Sequence, residues 1–305
     1  MADLFDSAWM KFGWAIRHCT TLENEVNTWR LNANEQTPFT TTRRYDAKRH
    51  GVIYTIDTFT PLPPEWGLYL GDAVHNLRSC LDHIAWACVR RGRTPNLTPW
   101  QEKGVYFPIA DTPEEWGNAL KGPKDRKGNR VGRPMLPGVR LADLAKIRVV
   151  QPYIHGKRDG RKHAFTALQR LSNDDKHREI QPLLSVPSGM TFDGLTETDF
   201  KFRCIPRQAR RIPLDVGVEV GWFYGRKLGP NPDVQVNGEM TVEPALQGGR
   251  FLLQDWMQKT AVTIRALLWS FQEPPRNLLE RLAVIQEPGT FPLLEDDEAV
   301  SPLKG

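Results

Sequence analysis

The side chains best suited to chemistry are concentrated in one stretch of the chain, Gly71–His83. Helical periodicity puts its apolar residues on one side. The opposite side carries Asp72, His75, Asn76, Arg78, Ser79, Asp82 and His83. Lys, Glu and Gln, which are typical of solvated helix faces, are absent from this set. Imidazole transfers protons near neutral pH and guanidinium holds anions, so the face predicts a functional site.

A second stretch repeats this pattern within a helix expected over about 162–178. Its apolar side holds Phe165, Leu168 and Leu171, and its polar side holds His163, Thr166, Arg170, Asn173, Asp174 and His177. Arg170 and His177 are seven residues apart, which places them almost in line on a helix. We expect the two polar helices to be neighbours that enclose one site. The alternative is a buried hydrogen-bond network that only ties the helices together.

Two pairs of these residues match a known signature. Arg78 and His83 have R-x-x-x-x-H spacing, and Arg170 and His177 have a similar but longer spacing. The central stretch therefore resembles the R-x(4–6)-H signature of the HEPN superfamily, over about residues 3–178. That group contains helical bundles, many of them metal-independent ribonucleases of toxin and antiphage systems. The first pair fits better because the polar Ser79 follows Arg78, whereas Leu171 follows Arg170.

The resemblance implies an endoribonuclease without a cofactor. His83 would be the general acid or base at a ribose 2′-hydroxyl, and Arg78 would hold the scissile phosphate. HEPN sites usually form across a dimer of bundles, so RNA and a second copy of the chain are the expected partners. No antitoxin is identifiable from the sequence. The full set of candidate catalytic residues is Arg78, His83, Asp82, His75, Asp72, Asn76, Arg170, His177, Asn173 and Asp174.

Two other functions stay open. Asp72–His75 and Asp174–His177 are both D-x-x-H motifs, which place a carboxylate and an imidazole on one helix face. Di-iron bundles use E-x-x-H on two helices with a further Glu from each of two more. Glu23 is the one inward acid that the flanking helices offer, so this ligand set is incomplete and we expect no metal. The third possibility is a non-catalytic protein that binds nucleic acid or another protein.

Composition bounds these choices. The chain has 305 residues, 40% of them hydrophobic, and a formal net charge of +5. Its basic residues are clustered at Lys121–Arg133 and Gly156–His163, which permits a polyanionic partner, although solvated loops are equally consistent. The four cysteines form no C-x-x-C pair, which favours reduced thiols. With no secretory leader and no long apolar run, we expect a cytoplasmic protein rather than a membrane protein.

The expected fold class is α+β: an antiparallel bundle of four to five helices with a β-hairpin and a C-terminal β-rich elaboration. The hairpin is predicted at Phe39–Asp46 and Gly51–Phe59, a short strand at Val105–Ile109, and a helix start capped by Thr112. The main helices are expected at about 3–30, 63–91, 141–150, 162–178 and 250–271. The predicted parts are a HEPN-like bundle with the hairpin and basic loop over 1–178, a β-rich segment over 179–247, and a final helix with an acidic tail over 248–305.

Overall fold

The computed structural model describes residues 4–35, 39–59, 62–92, 96–155, 163–175, 183–185, 190–192, 201–204, 216–224, 238–240, 243–246 and 251–272. The chain is α+β, as the sequence predicts. It divides into two compact units. The first comprises Met1–Asn24, Tyr69–Glu179 and Met257–Gly305, and the second comprises Glu25–Leu68 and Ile180–Trp256. The three-part division at 178/179 and 247/248 stays a prediction.

Helices dominate the first unit. In chain order, the described helices are α1 (Asp6–Glu35), α2 (Glu65–Arg90), α3 (Pro99–Glu102), α4 (Pro113–Lys121), α5 (Leu141–Val149), α6 (Pro152–His155), α7 (Ala164–Asp175) and α8 (Leu253–Phe271). Sequence periodicity predicts the bounds of five of these helices, α1, α2, α5, α7 and α8, to within a few residues. The Thr112 cap of α4 is confirmed, because its hydroxyl accepts from the Glu115 amide at 3.1 Å while Glu115 Oε2 accepts from the Thr112 amide at 3.3 Å.

The core of this unit is built on the apolar stripes of α1, α2 and α8. The stripe of α2 is fully buried at Leu70, Val74, Leu77, Leu81, Ile84 and Cys88. The first turn of α1 meets the last turn of α8, where the Phe5 and Phe271 rings stack with centroids 5.1 Å apart. Trp9 lies edge-on to Trp269 at 6.3 Å. Large aromatic side chains therefore join the two ends of the described chain.

An ion pair reinforces the same region. Arg91, just after α2, donates from Nη2 to Asp143 Oδ1 of α5 at 2.5 Å and from Nε to Asp143 Oδ2 at 3.3 Å. Its guanidinium also lies over the rings of Phe5, at 5.0 Å, and Phe271, at 5.5 Å. Asp143 is only 5% exposed, so its charge depends on this bidentate partner. Arg91 thus links α1, α5 and α8 at the end of α2.

The second unit contains the strands. The predicted hairpin is confirmed as β1 (Phe39–Asp46) and β2 (Gly51–Phe59), antiparallel and closed by a turn in which His50 has a φ of 46°. The later strands are β3 (Leu183–Ser185), β4 (Met190–Phe192), β5 (Lys201–Cys204), β6 (Glu219–Tyr224), β7 (Gly238–Met240), β8 (Glu243–Leu246) and β9 (Phe251–Leu252). They form sheets in the orders β1-β2-β6-β5, β3-β8-β9 and β4-β7.

The strand predicted at Val105–Ile109 is wrong, because this segment has no regular secondary structure and pairs with no strand among the described residues. Its backbone groups bind side chains instead. The Phe107 amide donates to Asp82 Oδ1 at 2.9 Å, and the Phe107 carbonyl accepts from Arg78 Nη2 at 3.0 Å. At its end, the Ala110 amide donates to Gln151 Oε1 at 3.0 Å. Side chains distant in sequence thus satisfy groups that a sheet would otherwise satisfy.

None of the described helices has the length and apolar character that a bilayer crossing requires.

Candidate functional site

The polar side of α2 divides into two clusters in the structure. Arg78 and Asp82 face the 106–110 segment, whereas Asn76 and His83 lie beside Lys11 of α1. At about 100° per residue, Arg78 and His83 are separated by roughly 140° around the helix axis. Asp82 interacts with both members of the signature pair, Arg78 and His83. The two side chains nevertheless point in different directions from the helix and do not converge on one site. Asp72 and His75 of the same helix are exposed.

Arg78 and Asp82 clamp the backbone of Phe107. Arg78 Nη2 is 3.1 Å from Asp82 Oδ1 and donates to the Phe107 carbonyl, while Asp82 Oδ1 accepts from the Phe107 amide. The two side chains are 13% and 28% exposed. Burial lowers the pKa of the Arg78 guanidinium, and the negative charge of Asp82 opposes that shift. Arg78 is consequently a partly buried cation that is already paired and that holds the backbone of the buried Phe107 in place.

A cleft of about 590 Å³ opens next to this clamp. It is lined by Arg78 and Asp82 of α2, the 106–110 segment, Glu115 and Asn118 of α4, and Gln169 of α7. Arg78 Nη1 is buried and has no hydrogen-bond partner among the described residues. His83 is not among the lining residues. Both polar helices therefore contribute to one cleft, although through Gln169 rather than Arg170.

His83 belongs to a separate polar face. Lys11 Nζ donates to Asn76 Oδ1 at 3.4 Å, which holds the ammonium over α2. Burial is the largest cause that lowers the pKa of the His83 imidazole, the Lys11 charge lowers it further, and Asp82 opposes both. A lowered pKa keeps the imidazole neutral at physiological pH. A neutral, half-buried imidazole can accept a proton, and the adjacent ammonium can attract an anion.

The first helix extends this face with residues that the sequence analysis missed. His18 Nδ1 lies 3.9 Å from Asp72 Oδ2, and the exposed Trp14 ring stacks on the His18 ring at 6.1 Å. The Arg17 guanidinium lies over the same Trp14 ring, 5.1 Å from its centroid. We name Lys11, Trp14, His18, Asn76 and His83 the α1–α2 polar face. The available sequence signal was Trp14 followed three and four residues later by Arg17 and His18, which places the three side chains on one side of a helix.

The second polar helix is less engaged. Arg170 and Asn173 are exposed, and Asn173 Oδ1 accepts from Gln169 Nε2 at 3.3 Å. Asp174 is half-buried on the same helix. His177 lies outside the described residues, so the second R-x(4–6)-H pair and the second D-x-x-H motif stay predictions. In the described part of the chain, no three His, Cys, Asp or Glu side chains are grouped to hold a metal ion.

The arrangement therefore offers two chemical settings: a proton acceptor beside a cation on the α1–α2 polar face, and a mixed polar and apolar cleft beside the Arg78 clamp. Neither setting needs a group beyond the side chains present to abstract a proton or to recognise a polar ligand. Comparison of the chain with protein-family models, with curated proteins and with solved structures finds no match.

Proposed function

We propose that this protein is a metal-independent endoribonuclease with His83 as its general base, the activity that the HEPN-like spacing implies. The observation that carries the proposal is the half-buried His83 imidazole beside the Lys11 ammonium on an open polar face. Its lowered pKa supplies the neutral form that a base requires. RNA is the substrate class because its 2′-hydroxyl is a nucleophile adjacent to a phosphodiester.

In this mechanism His83 accepts the proton of the ribose 2′-hydroxyl. The freed 2′-oxygen attacks the neighbouring phosphorus, the bond to the 5′-oxygen breaks, and the leaving oxygen takes a proton from water. The His83 imidazolium then returns its proton to the resulting hydroxide, which restores the neutral base. The products are a 2′,3′-cyclic phosphate and a 5′-hydroxyl end. Negative charge grows on the phosphoryl oxygens in the transition state, and a fixed cation beside the base would stabilise it.

We assign that cation to Lys11 rather than to Arg78. The resemblance gives Arg78 the phosphate, but its guanidinium is paired with Asp82 and bonded to the Phe107 carbonyl. Arg78 then acts as a positioning residue that fixes the 106–110 segment. The Lys11 ammonium instead donates to the neutral side-chain oxygen of Asn76, and its charge acts on the His83 imidazole. A Lys11→Met variant should therefore lose more activity than its small effect on stability explains.

The wider expectations belong to the same proposal. The helices of the first unit would form an antiparallel bundle, the later strands a β-rich elaboration, and two copies of the chain a homodimer. Exposed tryptophans such as Trp14 favour an interface on the α1–α2 polar face, since Trp is enriched where proteins associate. Toxicity to the producing cell or protection against phage would be the biological outcome of the activity.

The test compares wild type with His83→Ala on total RNA in the presence of EDTA. Loss of the base should slow cleavage about 10²–10⁴-fold, and the wild-type products should carry 2′,3′-cyclic phosphates. His155→Ala is the matched control, because it removes an exposed imidazole from α6. Wild-type activity should fall as the pH drops through the pKa of His83, which burial and the Lys11 charge lower from its ordinary value. Equal cleavage by wild type and His83→Ala, or cleavage by neither, would refute the proposal.

A non-catalytic RNA-binding protein is the second candidate. The engagement of Arg78 favours it, since Nη2 is committed to Asp82 and the Phe107 carbonyl and Nη1 is buried, which leaves the guanidinium poorly placed to hold a scissile phosphate. Binding of RNA by wild type and His83→Ala with equal affinity, without cleavage by either, would support this function over the first.

A further inference from the structure

The basic loop, Lys121–Arg133, has a defined backbone structure in addition to its many positive charges. Lys124 and Arg130 form an antiparallel bridge. Asp125 Oδ1 closes the turn between them by accepting from the Lys127 amide at 2.9 Å and the Asn129 amide at 2.8 Å. The loop holds six basic residues against this one Asp, which is committed to the turn. Its exposed ammonium and guanidinium groups are therefore held on a defined hairpin.

Exposed aromatic side chains lie next to this loop. Trp100 is 52% exposed, and the Arg133 guanidinium lies 4.9 Å from its ring centroid. The backbone at Gly104 packs directly on Arg133, since a Cβ at Gly104 would lie 2.8 Å from Arg133 Cβ. Tyr106 follows on the same segment and is 51% exposed. Cations interleaved with open aromatic rings are typical of surfaces that bind single-stranded nucleic acid.

The cleft beside the Arg78 clamp adjoins the loop, because Pro123 near the start of the loop and Met135 just beyond its end contribute to the lining. Among the described lining residues, Arg78 is the one cation, and the two negative charges of Asp82 and Glu115 exceed its positive charge. This charge balance disfavours a phosphate inside the cleft. Asn118 and Gln169 each bring a donor and an acceptor to the wall.

The remaining features of the cleft fit a flat heterocycle. Arg78 adds the edge of a guanidinium to this wall, although its Nη1 atom, which has no partner in the described part of the chain, is buried. Phe107, Pro108 and Ile109 supply apolar area. A volume of about 590 Å³ lies within the usual range for small-ligand sites. A nucleobase combines apolar faces with a donor and acceptor edge, which is the combination that this wall offers.

We propose that the basic loop, Trp100 and Tyr106 bind single-stranded RNA, and that one unpaired base of that RNA occupies the cleft. The inference rests on the proposed function for its choice of RNA. A duplex is disfavoured because paired bases cannot stack on Trp100 or Tyr106 or enter the cleft. The loop cations contact the flanking phosphates, which remain outside the electronegative wall.

The first test measures binding separately from cleavage. A labelled 2′-O-methyl oligoribonucleotide lacks the nucleophilic hydroxyl, so fluorescence anisotropy reports affinity for the uncut strand. The variant Lys124→Ala/Arg126→Ala/Lys127→Ala should reduce the slope of log affinity against log salt by about 2, at about 0.7 per lost phosphate contact. The control Arg140→Ala/Arg148→Ala/Lys259→Ala removes the same charge elsewhere and should leave the slope unchanged.

A second arm tests stacking. Tyr106→Ala should weaken binding of the single strand about 5- to 150-fold, whereas Tyr106→Phe should bind nearly as wild type does. Equal slopes for the two triple variants, no loss in Tyr106→Ala, or tighter binding of a matching duplex would overturn the proposal. If the loop variant and Tyr106→Ala weaken RNA binding as expected but the wild-type protein cleaves no RNA, the nuclease function alone would be refuted. Cleavage that needs His83 but ignores the loop and Tyr106 would refute this inference alone.

Discussion

Replacing Asp82 tests the interpretation of the Arg78 clamp. Its Oδ1 atom accepts from the buried Phe107 amide at 2.9 Å and pairs with Arg78 Nη2 at 3.1 Å. Asp82→Ala leaves a largely buried guanidinium and a buried amide without that partner. Breaking a fully buried pair costs about 3–5 kcal/mol. Because Asp82 is 28% exposed, water offsets part of this, and we expect a loss of about 2–4 kcal/mol in the free energy of unfolding.

Two further variants separate the charge from the hydrogen bond. Asp82→Asn keeps an oxygen for the Phe107 amide and loses only the charge, so it should cost about 1–2 kcal/mol. In Arg78→Met/Asp82→Ala no unpaired charge remains, so the double variant should cost less than the sum of its single changes, with a coupling energy of at least about 1 kcal/mol.

Urea unfolding followed by tryptophan fluorescence measures these changes, and equal m-values would show that the same transition is compared. At about 2 °C per kcal/mol for a chain of this size, Asp82→Ala should also lower Tm by roughly 4–8 °C. A loss below about 0.5 kcal/mol in Asp82→Ala, or strictly additive effects in the double variant, would refute the clamp.

Two other predictions concern stability. Asp143→Ala should lower the free energy of unfolding in urea by about 3–5 kcal/mol, because the Asp143 side chain is only 5% exposed and its loss leaves the Arg91 guanidinium without its partner. A loss under about 1 kcal/mol would contradict the buried ion pair. Gly122→Ala should destabilise the protein by about 1–3 kcal/mol, since its φ is 80° and a Cβ would lie 2.3 Å from the Gly132 carbonyl oxygen. The matched variant Gly128→Ala has a similar φ of 85° but open space around the Cβ, so thermal unfolding should show it to be milder, and equal losses would contradict the steric argument.

Local signals in the sequence account for much of the fold. The α2 stripe is periodic and its members are buried, the hairpin residues are β-formers on either side of a turn, and Thr112 carries its own capping partner three residues away. Each of these depends on neighbours within a few positions. The Val105–Ile109 segment depends instead on Asp82 and Arg78, which lie 25 and 29 residues away, so β propensity alone misassigns it.

The site shows the same limit. Arg78, Asp82 and His83 are identifiable from their types on a polar helix face, but the roles of the first two depend on Phe107. The α2 sequence cannot identify Lys11 as part of the site, because the contact of Lys11 with Asn76 spans 65 residues. Lys11 is one of several cations on α1, and its spacing along that helix does not mark Asn76 as its partner. Pairing across helices assigns such residues, and that pairing is set by the packing of the apolar stripes.

The stacking of Phe5 on Phe271 has a consequence for synthesis on the ribosome. The nearby bond from Gln272 Nε2 to Asp6 Oδ1 spans 266 residues, so the beginning of α1 waits for nearly the whole described chain before its partner exists. At about 5–20 residues per second, that delay is roughly 10–50 s. Throughout this interval the Phe5 and Trp9 side chains lack α8, which makes the nascent chain a natural client for chaperones that shelter emerging apolar segments.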